Sequence, residues 1–95
     1  MTSRYRLGEI VISKSGRDIG KHYIIVDIEG NNYVRLADGD ARRVEHPKRK
    51  NIKHLSFTGD IILELSIWLK DKKRIRNEDI KRFIKKYQYE KRGGY

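Results

Sequence analysis

"EIVISKSGRDIGKHYIIVDI", residues 9–28, is the stretch on which the reading of the whole chain turns. Its first apolar run places Ile10 and Ile12 on one parity; its second alternates Ile24, Val26 and Ile28 with Tyr23, Ile25 and Asp27. Side-chain direction in a strand repeats every two residues, so each run predicts a β-strand. Between the runs stand Gly16 and Gly20, four residues apart, with Arg17 and Asp18 inside the interval and Lys21 just after it. Glycine enters positive φ without a Cβ penalty, so the interval predicts a sharp turn pinned at both ends. From such a turn Arg17 and Lys21 would project while Asp18 closes local hydrogen bonds. The plain alternative is a tight structural turn with a surface ion pair, an interaction of little energetic value.

Working outward, Val34 and Leu36 alternate with Tyr33, Arg35 and Ala37, which predicts a third strand. "GNN" (30–32) and "DGD" (38–40) are both hairpin signals, because Gly, Asn and Asp tolerate turn geometry. Short strands joined by short turns predict a small, strongly bent antiparallel sheet or barrel. Pro47, the sole proline, is expected to break any strand around it and to put "HPKRK" (46–50) in an exposed loop. "NIKHL" (51–55) then reads as a short closing strand.

The second half reads differently. "NEDIKRFIKKY" (77–87) predicts a helix, with Asn77 as N-cap and Glu78 and Asp79 at the positive end of the dipole. Ile80, Phe83, Ile84 and Tyr87 form the stripe that should dock on the core, and Lys81, Arg82, Lys85 and Lys86 form a solvated face. "DIILELSIWLK" (60–70) fits two periods. Ile61, Leu63, Leu65, Ile67 and Leu69 share a strand parity; Ile61, Ile62, Leu65, Trp68 and Leu69 trace a helical stripe. Periodicity leaves that segment open. Trp68 and Phe83 are expected to join helix to sheet, and "EKRGGY" (90–95) to be a frayed tail.

Composition narrows the function. Ninety-five residues predict one domain with a modest core. Without cysteine, neither a disulfide framework nor a thiolate metal site is available. No signal-peptide pattern stands at the N-terminus and the longest apolar-rich run is too short to span a bilayer, so a soluble, cytoplasmic protein is expected. The net charge is +10. Residues 42–53, "RRVEHPKRKNIK", hold six Lys/Arg against one Glu, while the rest of residues 1–58 is balanced at six against six. Like charges so concentrated point to a polyanionic partner. Enzymatic readings find little support: His22, His46 and His54 have no nucleophile partner motif, and "GRDIGK" lacks the spacing of a phosphate-binding P-loop. Asp38 and Asp40 read as turn residues. No cofactor, metal site, membrane contact or small-molecule substrate is expected.

The stretch "GEIVISKSGRDIGKHYIIVDI" (8–28) resembles the KOW motif of ribosomal and transcription-elongation proteins, with Gly16 at the central glycine and Gly20 at the second. "ADGD" (37–40), the basic segment and "NIKHLSFTG" (51–59) extend the resemblance to the family of the archaeal and eukaryotic large-subunit ribosomal protein numbered fourteen, and to its small bacterial relatives. It covers roughly residues 6–58; beyond that only the layout is similar. The resemblance implies a mainly β protein, an SH3-like barrel over residues 1–58 with two helices packed on it over 59–95, and it tips residues 60–70 toward helix. It implies RNA binding without catalysis, to ribosomal RNA or the ribosome, with ribosomal proteins as further partners. The expected contacts are Arg17 and Lys21 on the turn, then Arg42, Arg43, Lys48, Arg49, Lys50, Lys53 and His54. The rival reading is an SH3-like protein-interaction module of the transcription or translation machinery, with Tyr5, Tyr23 and Tyr33 furnishing an aromatic groove. Tyr23 and Tyr33 could stack on bases, but tyrosines at alternating strand positions more often cover the sheet.

Overall fold

A computed structural model describes residues 5–91. Five strands follow in chain order: β1 (Glu9–Ser13), β2 (His22–Glu29), β3 (Tyr33–Ala37), β4 (Lys48–Asn51) and β5 (Leu55–Ile61). Helices α1 (Leu63–Lys70) and α2 (Asn77–Lys91) complete the chain. The fold is mainly β: one five-stranded antiparallel sheet of order β4-β3-β2-β1-β5, with two C-terminal helices. The expected tail falls partly in α2, and residues 92–95 lie outside the described residues.

Strands β1 to β3 stand where alternation predicted them, with the turn at 30–32 joining β2 to β3. The following segment does not. "DGD" opens a ten-residue connection, 38–47, instead of a tight hairpin, and Lys48–Asn51 is β4, paired along β3. Pro47 precedes the first residue of an edge strand, a place where its missing N–H costs no ladder bond. The expected loop is therefore a strand. Likewise residues 52–54 form a single 3-10 turn, and the closing strand is 55–61.

That turn bends the sheet. Strands β4 and β5 are its two edges, and four strand spacings of about 4.8 Å would set flat edges about 19 Å apart. The four Cα steps from Asn51 to Leu55 reach only about 15 Å. The sheet must curl, although no ladder joins β4 to β5 among the described residues.

Curling gives the sheet an inside and an outside, and both are buried. Val11, Tyr23, Ile25, Val34, Leu36 and Leu55 form the inner core with Tyr5. Ile10, Ile24 and Ala37 on the outer face meet Leu65, Ile75, Ile80 and Ile84 of the helical half. This outer apolar face settles the ambiguity at 60–70. Ile62, Leu65, Trp68 and Leu69, the helical stripe, pack on it, whereas Leu63 and Ile67 of the alternating set are exposed. A helix buries the stripe against a surface already present. The strand-like portion of the stretch survives only at Asp60 and Ile61, the end of β5.

Helix α2 docks by Ile80, Phe83, Ile84 and Tyr87 as its spacing predicted. Trp68 and Phe83 meet edge to face at 6.5 Å between ring centroids, joining helix to helix. Asn77 does not cap its own helix. Its Oδ1 accepts from the Val44 N–H at 2.7 Å and its Nδ2 donates to the Glu45 carboxylate, so it fastens the 38–47 connection to α2. The approach there is close: a Cβ on Gly39, at φ +80°, would stand 2.2 Å from the Asn77 carbonyl oxygen.

Among the described residues one buried carboxylate, Glu9, has no ion-pair partner. Glu9 bridges a bulge in the β1–β5 ladder, accepting from the Arg6 N–H at 3.1 Å and the Gly59 N–H at 3.2 Å. Burial pushes its pKa above the ordinary carboxylate range, against the pull of these two N–H groups.

Candidate nucleic-acid interface

The 14–21 turn is held as the two glycines predicted. Gly16 and Gly20 sit at φ +85° and +88°, and backbone bonds from Gly20 to Ser13 and from Ser13 to Lys21 close the neck. Asp18 does far more than close the turn. Its carboxylate accepts from Ser13 Oγ at 2.7 Å, Tyr23 Oη at 2.8 Å, Lys48 Nζ at 2.8 Å and Lys50 Nζ at 3.0 Å. Burial opposes the charged form, but these four donors outweigh it and hold the Asp18 carboxyl far below the usual range. Burial and the Asp18 carboxylate push the Tyr23 hydroxyl upward in turn.

Strand register explains why two lysines point inward. Lys48 faces Leu36 and Lys50 faces Val34 across the β3–β4 ladder. Cross-strand partners share a face, so both lysines lie on the face that buries Leu36 and Val34. A charge there needs a counter-charge, and Asp18 supplies it. The Lys50 side chain is only 9 % exposed, and its ammonium donates to Ser13 Oγ, the Ser15 carbonyl and Asp18. All three of its protons are taken, so Lys50 has none left for a phosphate. Lys48 keeps a partly exposed stem behind its bond to Asp18.

Arg49 points the other way. It lies opposite Arg35, and Glu29 accepts from both guanidinium groups, from Arg49 at 2.9 Å. Those two arginines hold the Glu29 carboxyl below its ordinary range. The Arg49 guanidinium also lies 3.7 Å from the centre of the Tyr33 ring. The three cations of "KRK" are thus engaged within the protein.

The remaining expected contacts separate into two groups. Arg17 is exposed on the turn, and so is Lys14, which sequence reasoning does not name as a contact; neither has an ion-pair partner among the described residues, and the Lys14 N–H donates to the His54 carbonyl at 3.0 Å. That bond brings exposed Lys53 and half-exposed His54 alongside the turn. Lys21 reaches in the other direction, to Asp38 at 3.3 Å. Burial works against the Asp38 charge, and the N–H groups of Asp40 and Arg42 together with Lys21 still hold its carboxyl low. Arg42 is thereby fixed through its backbone, and Arg43 faces Glu45 at 3.8 Å beside the start of α2. Arg43 lines a cleft of about 250 Å³ there with Arg74, Arg76 and Lys81.

No protein-family model and no curated protein matches the chain.

Sequence reasoning missed the lysines of α2 because that face of the helix looked like an ordinary solvated surface. Lys81 and Lys85 in fact flank a groove opposite Lys21. The legible signal was their i, i+4 spacing beside the buried Ile80 and Ile84 stripe, which obliges them to sit at the helix–sheet margin. The aromatic groove of the rival reading does not form. Tyr5 and Tyr23 are buried, Tyr5 stacked on Phe57 with its hydroxyl on the Asn31 carbonyl, and Tyr33 lies beneath Arg49. Among the described residues no cluster of His, Asp and Glu is arranged to hold a metal, and no helix is long and apolar enough to cross a membrane.

Proposed function

We propose that the chain is a non-catalytic RNA-binding protein, an SH3-like barrel of the KOW type with two helices laid on it, acting on ribosomal RNA or the ribosome in the cytoplasm. The observation that carries this reading is the turn: Lys14 and Arg17 are exposed on a loop whose neck is hydrogen-bonded and whose Asp18 is anchored from four sides. A held turn spares the backbone share of the entropy lost when its cations meet phosphate, and folded RNA is met chiefly through its backbone and shape. The curled sheet, its short turns and the 3-10 link between its edge strands support the barrel assignment. The resemblance of residues 8–28 to the KOW motif supports the RNA partner.

The test is a salt titration with structured RNA. About five phosphate contacts give a slope of log K against log salt near −3.5 to −4.5. The double variant Lys14→Gln, Arg17→Gln should flatten it by roughly 1.4 to 1.8, the share of two phosphates. Both residues are exposed, so the thermal unfolding midpoint should not move. A wild-type slope near zero, or a partner retained from extract after nuclease treatment with no RNA crosslinked, turns the reading toward the protein-interaction module.

A further inference from the structure

A groove of about 480 Å³ lies between the glycine turn and α2. One wall is the turn itself, where Ile19 sits between the two glycines with 67 % of its surface exposed. The other is α2, with Lys81 and Lys85 at the lip and Ile84 at the floor. His22 and Gln88 also line it, with 3.1 Å between Gln88 Nε2 and His22 Nδ1.

Ile19 adds a large exposed apolar surface to this wall of the groove. The volume is that of a small-molecule pocket, far below what a helix or strand of a partner would need. Lys81 and Lys85 make the lip cationic, Ile19 and Ile84 supply apolar surface, and Gln88 and His22 supply an amide and an imidazole. Those are the requirements of a nucleotide: a flat apolar ring with polar edges, joined to a phosphate. Burial lowers the His22 pKa, so its imidazole is neutral near pH 7 and acts as a hydrogen-bonding group. Two carboxylates also line the groove. Asp38 is already satisfied by Lys21 and two backbone N–H groups. Asp40 is exposed, and its oxygens suit a hydroxyl or amino donor and repel phosphate, which leaves the α2 lip as the phosphate side.

We propose that this groove takes one unpaired base of the bound RNA, held between Ile19 and Ile84, with the flanking phosphates on Lys81 and Lys85. The assignment rests on the RNA-binding reading above and adds to it a nucleotide pocket and a preference for unpaired over paired RNA. Folded RNA is recognised in sequence mainly at loops and bulges, where bases can be splayed out into such pockets.

The experiment compares a stem–loop RNA with a fully paired duplex of the same stem, by fluorescence anisotropy over a salt series. Wild type should bind the stem–loop more tightly. Lys81→Gln with Lys85→Gln, which keeps the side-chain stems, should flatten the stem–loop slope by about 1.4. Ile19→Ser should weaken the stem–loop several-fold, leave its salt slope unchanged and leave duplex binding unchanged. Circular dichroism melts of both variants should match wild type, since all three residues are exposed. Equal binding of both RNAs by wild type, with neither variant changing it, overturns the pocket and leaves the RNA-binding reading standing. Wild type that binds neither RNA removes both. Binding of a polyglutamate peptide that these variants abolish, while RNA binding is untouched, also overturns the pocket.

Discussion

Strand β4 and helix α2 are both rich in positive charge, and they use it in opposite ways. In β4 every cation is engaged: Lys48 and Lys50 by Asp18, Arg49 by Glu29 and the Tyr33 ring. In α2 the ion pairs are peripheral, Arg82 with Asp79 and Lys91 with Asp60, and Lys81, Lys85 and Lys86 have no ion-pair partner among the described residues. The difference lies in what surrounds each element. An edge strand of a curled sheet turns alternate residues toward a low-dielectric interior, where an unpaired ammonium is costly. A helix lying on the outside of the sheet exposes its polar side to water, where a free lysine costs nothing. The densest cationic segment of the sequence therefore offers less field to a partner than its composition implies, and the more dispersed helix offers more.

Removing the counter-charge of β4 should give the largest effect. Asp18→Asn leaves Lys50 buried with no anion, and breaking a buried pair from one side costs about 3 to 5 kcal/mol. Urea unfolding should show that loss, and adding Lys50→Met should recover part of it, because the orphaned charge is then gone. Acid should act in the same direction. The folded pKa of Asp18 is depressed, so its contribution is complete above the unfolded value of about 3.9 and is lost as pH falls toward and below that value. The Asp18→Asn protein should lack this part of the acid sensitivity. Equal stability of wild type and Asp18→Asn at pH 7 would show that the cluster is ornamental.

On the α2 side the sharpest test is steric. Gly39→Ala puts a methyl group into the Asn77 carbonyl at a positive φ, and should cost about 3 kcal/mol. Gly20→Ala, at a similar φ with open space around it, should cost only the backbone share, about 1 to 2 kcal/mol. Similar losses from the two would mean that the 38–47 connection does not press on α2.

The smallest effect should come from Glu29→Gln. It neutralises the one carboxylate shared by Arg35 and Arg49 and so releases two exposed guanidinium groups. Under the proposed function, affinity for structured RNA should tighten and its salt slope steepen slightly. Unchanged binding would place that face of the sheet outside the RNA contact.

How far the sequence went is clearest in particular residues. Strands β1 to β3 and helix α2 follow from alternation, turn glycines and an apolar stripe, all of them local signals. Strand β4 was hidden because its sequence, "KRKN", carries no apolar alternation. Its pairing to β3 is a tertiary event, and Pro47 was compatible with either outcome. Asp18 was visible as an acidic residue in a basic turn, but its two lysines lie 30 and 32 residues away. No local pattern joins them. The groove was hidden for the same reason, since Ile19 and Lys85 belong to different halves of the chain.

The sequence by itself determined which segments are strands or helices where the period was unambiguous, where the chain turns, and how much net charge it carries. These depend on backbone geometry and on side chains a few residues apart. Only the tertiary structure decided which of those charges face solvent and which neutralise one another, and whether residues 60–70 lie as helix. Both depend on the surface each segment meets after the sheet has curled, and that surface is assembled from residues distant in the chain.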